Sequence, residues 1–114
     1  IFHDIATYHH ADWGAVADAI TADPRIGKSH MNPVHASGHS DKQGRGAGGH
    51  CFIKDFATLH DHYKRTVGNE FGLKVLDALR DNNIHLLTST GKDIDLLTDV
   101  YGNYIEQDTF KKKI

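Results

Sequence analysis

The chain has 114 residues, of which 39% are hydrophobic and 25% charged, and its formal net charge is -2. This length supports one small domain and is too short for a complete dinucleotide-dependent enzyme of ordinary architecture. The near-neutral charge excludes the broad basic field of nucleic-acid-binding proteins. No apolar run approaches the roughly 18 residues that a membrane-spanning helix needs, and no signal peptide is visible, so we expect no membrane partner.

The single cysteine, Cys51, excludes an internal disulfide framework and fits a reducing compartment. We therefore predict a cytoplasmic location. Because the chain begins at Ile1 and not at a methionine, we also predict that it is a fragment of a longer protein. The three lysines at 111–113 are interpreted as a short solvated tail.

Residues 1–22 are predicted to be helical, because apolar side chains recur at helical spacing. They form either one helix or two helices with a break near His10–Ala11, in which case Asp12 is a candidate N-cap for the second. That helix should end at Asp23–Pro24, because the residue before a proline disfavours the α region.

The same periodicity predicts three more helices, over residues 53–64, 67–82 and 92–101. The apolar stripe of the middle helix consists of Val67, Phe71, Val75 and Leu79, and Leu76 broadens it. Gly102 is a candidate C-cap for the last helix, and Ile84–Leu87 is either a short strand or a packed loop. The predicted fold class is all-α, with four to five helices in a single domain spanning 1–114.

A long glycine-rich loop separates the second and third helices, over residues 25–50, and such loops are usually functional or disordered. Gly44–Gly49 contains the spacing G-x-G-x-x-G, but the polar segment His39–Gln43 before it cannot be the buried strand of a dinucleotide-binding unit. Clustered glycines permit positive φ angles and leave N–H groups for a ligand. The glycines alone fit a ligand-binding loop and a flexible surface loop equally well.

Cys51 stands where this loop meets the third helix. The positive end of the helix dipole favours a thiolate there, and Lys54 adds positive charge. Asp55 follows one turn later, where a carboxylate can help water remove a covalent adduct. Considered without its neighbours, a lone cysteine is more often an inert buried side chain, so both interpretations stay open at this point.

Two motifs, in this order, resemble the central domain of the UDP-glucose/GDP-mannose dehydrogenase family. The first is Asp23-Pro24-Arg25-Ile26-Gly27, which is similar to that family's D-x-R-I-G stretch. The second is Gly48-Gly49-His50-Cys51-Phe52-Ile53-Lys54-Asp55, which is similar to its G-G-x-C-[hydrophobic]-x-K-D segment. The resemblance covers roughly residues 1–64. It implies a helical fold like the C-terminal domain of 6-phosphogluconate dehydrogenase, and a homodimer.

The resemblance also implies a reaction, the NAD-dependent oxidation of a nucleotide sugar's C6 alcohol to a carboxylate. Cys51 matches the nucleophile that holds the aldehyde as a thiohemiacetal and then as a thioester. Asp55 matches the carboxylate linked to thioester hydrolysis, and Lys54 matches a lysine near the cofactor.

Substrate contacts are implied in the same way. Gly48 and Gly49 match the loop that lies against the sugar, and Arg25 matches an arginine that reaches the substrate across the dimer interface. NAD would be bound mainly by a domain absent from this chain, and the family's catalytic lysine and asparagine would lie before Ile1.

The chain also departs from the family pattern, since its loop is longer and Ala47 stands where an aromatic residue is common. Two alternative functions stay open. One is a non-catalytic helical dimerisation module that keeps the motif as a relic. The other is a metal-binding domain, because imidazole and thiolate suit zinc. Its candidate ligands are His30, His35, His39 and Cys51.

Overall fold

The computed structural model describes residues 1–105, which contain five helices and no strand. The predicted all-α class is therefore confirmed. The chain divides into two compact units, one of residues Ile1–Pro33 and one that begins at Val34. Within the described residues, no helix is both long and apolar enough to cross a membrane.

The first unit contains α1 (Phe2–Tyr8) and α2 (Trp13–Thr21), so the predicted break between two helices is confirmed. Asp12 is the N-cap of α2, and its carboxylate accepts a hydrogen bond of 2.9 Å from the Ala15 amide. This bond satisfies one of the amide groups that a helix leaves unpaired at its start. The Trp13 indole donates a hydrogen bond of 2.8 Å to the Met31 carbonyl, so the segment after α2 is bonded to the first residue of that helix.

The second unit contains the other three helices, which pack against one another: α3 (His50–Thr66), α4 (Glu70–Thr90) and α5 (Ile94–Ile105). One buried cluster holds them together. It consists of Ile53, Ile84, Leu87, Leu96 and Leu97, with the partly buried Tyr101 packed against it. Each such aliphatic side chain contributes about 1.5–3 kcal/mol when it leaves water.

Local chemistry explains why the helix bounds differ from those predicted. α3 begins at His50 and not at Ile53, because Gly49 takes a φ of 87° and serves as its N-cap. α4 begins at Glu70, where the Asn69 side chain accepts hydrogen bonds from two amides of the first turn. It continues to Thr90, so Ile84–Leu87 is helical and both predicted alternatives for that run were wrong.

Three residues of the apolar stripe identified in this helix are exposed to solvent in the structure. Phe71, Val75 and Leu79 are 72%, 59% and 55% exposed. The residues that α4 buries are Ile84 and Leu87, which lie beyond the predicted end of the helix.

Gly102 is not a C-cap, because it lies inside α5, next to a kink at Tyr101 (φ -118°, ψ 17°). Burial raises the pKa of the Tyr101 hydroxyl above its usual value. The predicted lysine tail at 111–113 lies outside the described residues.

Candidate active site

Cys51 occupies the first turn of α3 and is exposed. Its side chain opens onto a shallow cleft of about 400 Å³ on the outer face of the helix. The cleft is lined by Cys51, Phe52, Asp55, Phe56 and Leu59. The thiol and the Asp55 carboxylate therefore share one mostly apolar depression, whereas the neighbouring Ile53 points into the core.

Lys54 and Asp55 form an exposed pair, with 3.9 Å between Lys54 Nζ and an Asp55 carboxylate oxygen. Ion pairs this exposed contribute about 0–1 kcal/mol, so the pair does little to hold the fold. Asp55 lines the cleft and is available to a ligand that enters it, and the exposed Lys54 lies beside Asp55.

Gly48 and Gly49 are fixed by Asp93, which is only 5% exposed and precedes α5. The Gly49 amide donates to Asp93 Oδ2 over 2.8 Å. A β-carbon at Gly48 would overlap this same carboxylate, so a glycine is required where the loop passes it. The chain therefore enters α3, and reaches Cys51, along a path defined by a residue more than 40 positions later.

Lys92 lies beside Asp93 and is fully buried. Its ammonium group donates to the carbonyls of Gly46 (2.9 Å) and Gly44 (3.4 Å), and lies 3.2 Å from His35 Nδ1. Burial lowers the pKa of Lys92, and the charge of Asp93 opposes that shift.

Two polar side chains of α4 complete the attachment of the loop. Asn83 pairs with both backbone groups of Ala47, accepting from its amide (2.7 Å) and donating to its carbonyl (2.9 Å). The Thr90 hydroxyl accepts from the Arg45 amide over 3.0 Å. The glycine-rich segment is thus an ordered, side-chain-tethered loop. None of the tethering residues, which are Asn83, Thr90, Lys92 and Asp93, was predicted from the sequence. The available signal was the presence of polar side chains within and after the apolar run at the end of α4.

The loop amides that a dinucleotide phosphate would need as hydrogen-bond donors are already bonded within the chain. The amides of Arg45, Ala47 and Gly49 already donate to side chains, and the described residues contain no strand to precede a phosphate-binding turn. The residues present therefore do not fit an NAD site.

A second apolar pocket, of about 210 Å³, lies between Ala47, α3 and α4. It is lined by Ala47, Phe52, Phe56, Leu79, Asn82, Asn83 and Leu86. Ala47 is the position at which an aromatic residue is common in the resembling family, so the small side chain leaves this space unfilled.

Filling the pocket should stabilise the chain. We expect Ala47→Phe to raise the free energy of unfolding by about 1 kcal/mol, because the added ring is buried against apolar walls at ~25 cal/mol per Å² less its lost rotamer freedom. Urea unfolding followed by circular dichroism measures the change. Ala78→Phe, on the exposed surface of α4, is the control and should stay within about 0.5 kcal/mol. A destabilised Ala47→Phe would show that the pocket cannot take a ring.

Arg25 belongs to the first unit and is held locally by Asp23, with 2.7 Å between Arg25 Nη2 and the carboxylate. This hydrogen bonding lowers the pKa of the Asp23 carboxyl. Arg25 is therefore an exposed, oriented guanidinium, while the other predicted site residues all fall between Gly48 and Asp55 of the second unit.

The histidines of the loop do not assemble a metal site. Within residues 1–105, no group of three or more histidine, cysteine, aspartate or glutamate side chains is arranged to hold a metal ion. His35 instead lies against the Lys92 ammonium. His39 Nε2 is 2.8 Å from an Asp95 oxygen, which lowers the pKa of Asp95, and the His39 ring meets His50 edge to face.

Comparison with known families agrees with the motifs. The central-domain model of the UDP-glucose/GDP-mannose dehydrogenase family matches residues 2–85. Searches of curated proteins and of solved structures give no significant match. The family match spans most of the chain, including both motifs and the whole of α3. The chain therefore belongs to the UDP-glucose/GDP-mannose dehydrogenase family of NAD-dependent dehydrogenases, as a central domain.

Proposed function

We propose that this chain is part of a longer, cytoplasmic, NAD-dependent dehydrogenase that oxidises the C6 alcohol of a nucleotide sugar to a carboxylate, with Cys51 as its nucleophile. The observation that carries the proposal is the exposed Cys51 thiol in the first turn of α3, sharing a cleft with Asp55. An unpaired, exposed thiol also fits a reducing compartment.

Two steps fall to residues of this chain. In the first, the Cys51 thiolate adds to the aldehyde carbon, the carbonyl electron pair moves to oxygen, and that oxygen takes a proton to give a thiohemiacetal. In the last, water adds to the thioester carbon while Asp55 takes one of its protons, and the carbon–sulfur bond breaks to release thiolate and a carboxylic acid, which loses its remaining proton to solvent. NAD, when bound by another domain, supplies the hydride acceptor.

The remaining residues act by charge and shape. We assign Lys54 to the cofactor, which would bind beside the cleft, since its ammonium nitrogen lies 3.9 Å from an Asp55 carboxylate oxygen. We assign Gly48 and Gly49, which lead into α3, to contact with the sugar ring, because residues without side chains allow a close approach. Arg25, oriented by Asp23, is the residue we assign to the substrate's anionic groups across a dimer interface.

The function is tested in the longer protein that contains this chain. Purified enzyme is supplied with NAD and, separately, with UDP-glucose and GDP-mannose, and both the reduced cofactor and the sugar product are measured. We expect two equivalents of reduced cofactor for each carboxylate formed from one of the substrates. An aldehyde product with one equivalent, or no cofactor reduction with either sugar, would contradict the proposal.

Asp55→Asn should slow the turnover of the longer enzyme by about 10²-fold, because general-base assistance to the attacking water is lost. Since the earlier covalent step survives, a sugar adduct on Cys51 should accumulate and be detectable by intact-protein mass spectrometry. Asp61→Asn is the matched control, because Asp61 is also an exposed carboxylate of α3 but pairs with Arg65, away from the cleft. Equal losses in both variants would remove Asp55 from the mechanism.

A second proposed role of this chain is dimerisation, and it is supported by exposed apolar side chains on α4. Phe71, Val75 and Leu79 recur every four residues along α4 and form an exposed apolar stripe. Exposed contiguous apolar surface on a small domain commonly marks a protein interface. We propose that this stripe joins two copies of the chain in a homodimer.

Val75→Asp should convert that homodimer into a monomer, because a charge at the centre of an apolar interface is desolvated without a partner. Light scattering during size-exclusion chromatography should give a mass near 12.7 kDa for the variant, and twice that mass for the unchanged chain. Ser89→Asp, at an exposed polar position of the same helix, should leave the dimer intact. A monomeric unchanged chain would overturn the interface.

A further inference from the structure

The loop that leads to Cys51 is held by four side chains that follow the nucleophile in sequence. They are Asn83, Thr90, Lys92 and Asp93. All four bind backbone groups of the segment 44–49, so the contacts select one conformation of the loop backbone. Asp93 binds the amide of Gly49, which is the N-cap of α3 and lies two residues before Cys51.

The buried charge of Lys92 stabilises one conformation of the loop. A fully buried ammonium group costs several kcal/mol unless it is hydrogen-bonded and paired. Two of its partners are loop carbonyls, at Gly44 and Gly46, and the third is His35. Loss of the loop conformation would leave the charge of Lys92 buried without those acceptors, so the lysine favours a single loop position.

Asp93 brings the opposite charge to the start of α3. Its Oδ2 accepts from the Gly49 amide, while its Oδ1 is buried without a partner. The Cα atoms of Gly49 and Cys51 lie at most about 7.6 Å apart, because two trans peptide units separate them. The carboxylate is therefore roughly 10 Å or less from the backbone of Cys51, within the range of an incompletely screened charge.

We propose that Lys92 and Asp93 are positioning residues for Cys51, which fix the loop 44–49 and the first turn of α3 and whose opposite charges set the electrostatic field at the thiol. The catalytic consequence rests on the function proposed above. The positioning itself does not, because it concerns the geometry and reactivity of one thiol.

The charge component is tested by thiol alkylation, which reports on one site because the chain has one cysteine. The rate constant of Cys51 with iodoacetamide is measured at pH 7 in the 114-residue chain. We expect Asp93→Asn to raise it about two- to tenfold, because a unit charge near 10 Å changes the reactivity of a thiol by that factor between high and intermediate effective dielectric. We expect Lys92→Met, which removes the opposite charge, to lower it.

Opposite signs are the decisive result. The other charged or titratable groups around the thiol are unchanged in both variants; they are His39, His50, Lys54, Asp55 and Asp95. A merely structural role for the pair would loosen the loop in both variants and shift both rates in the same direction. Rates that move together, or that stay within twofold of the unchanged chain in both variants, would overturn the proposal.

The positioning component is tested by hydrogen exchange of the Gly49 amide. We expect Asp93→Ala, which removes the acceptor of the Gly49 amide, to speed exchange at Gly49 at least tenfold, with Asp93→Asn, which keeps an acceptor oxygen, retaining protection and the interior of α3 unaffected. Unchanged protection of Gly49 in Asp93→Ala would overturn the positioning. If Lys92→Met does not fold, an Asp93→Asn variant that reacts no faster than the unchanged chain still overturns the charge component. Neither readout needs catalysis, so an inactive longer protein would contradict the proposed function and leave the positioning intact.

Discussion

Replacing Cys51 by alanine should abolish carboxylate formation in the longer enzyme, with a loss of turnover on the order of 10³-fold or more. Removal of a covalent nucleophile eliminates the intermediates that split the oxidation into two easier steps, and such losses are much larger than those of a binding residue. The measurement is the rate of reduced-cofactor formation with the sugar that the enzyme accepts.

The location of Cys51 allows a clean interpretation of this variant. Because the side chain is exposed and lies outside the hydrophobic core, the free energy of unfolding should change by no more than about 0.5 kcal/mol. Urea unfolding of the 114-residue chain provides that control. Full activity in a folded Cys51→Ala enzyme would favour the non-catalytic dimerisation module, in which the motif is a relic.

The position of Cys51 was predictable because the signals that define it are local. A glycine pair that can take positive φ, followed by helix-forming residues, predicts a helix start close to the thiol. The structure moves that start from Ile53 to His50, which places the thiol within the first turn. Asp12 and Pro24 fixed the ends of α2 by equally local chemistry.

The environment of α4 was not predictable in the same way. Helical periodicity identifies an apolar stripe, but it does not say whether that stripe meets this chain or another one. Phe71 and Val75 fit the pattern and are exposed, whereas Ile84 and Leu87 form the core contact. A sequence records which face is apolar, and the partner of that face depends on the arrangement of all the helices.

The tethering of the glycine-rich loop also escaped prediction, since its partners are distant in sequence. Lys92 and Gly46 are 46 positions apart, and no periodic pattern connects a lysine with a backbone carbonyl. From the sequence alone, the glycines were therefore compatible with a flexible loop, because the side chains that bind the loop's amides and carbonyls are not adjacent to it in the chain. Backbone groups of this kind must find partners when buried, and here they find them on side chains that precede α5.

Gly48→Ala should have the largest effect on stability outside the core, a loss of about 2–4 kcal/mol. The φ angle of Gly48 is not positive, so alanine is compatible with the backbone there. The cost arises because the new β-carbon overlaps the Asp93 carboxylate. Relief of the overlap moves Asp93 away from the Gly49 amide, which adds the cost of an unpaired buried donor to that of overpacking.

A double-mutant cycle isolates that cause. Asp93→Ala removes the carboxylate, so the added methyl group of Gly48→Ala should then cost less than about 1 kcal/mol, giving a coupling free energy of at least about 1 kcal/mol between the two positions. Gly27→Ala, where a β-carbon meets only ordinary contacts, should change stability by about 0.5 kcal/mol or less. Additive losses at Gly48 and Asp93 would mean that the carboxylate does not define the path of the loop, and the glycine at 48 would then need another explanation.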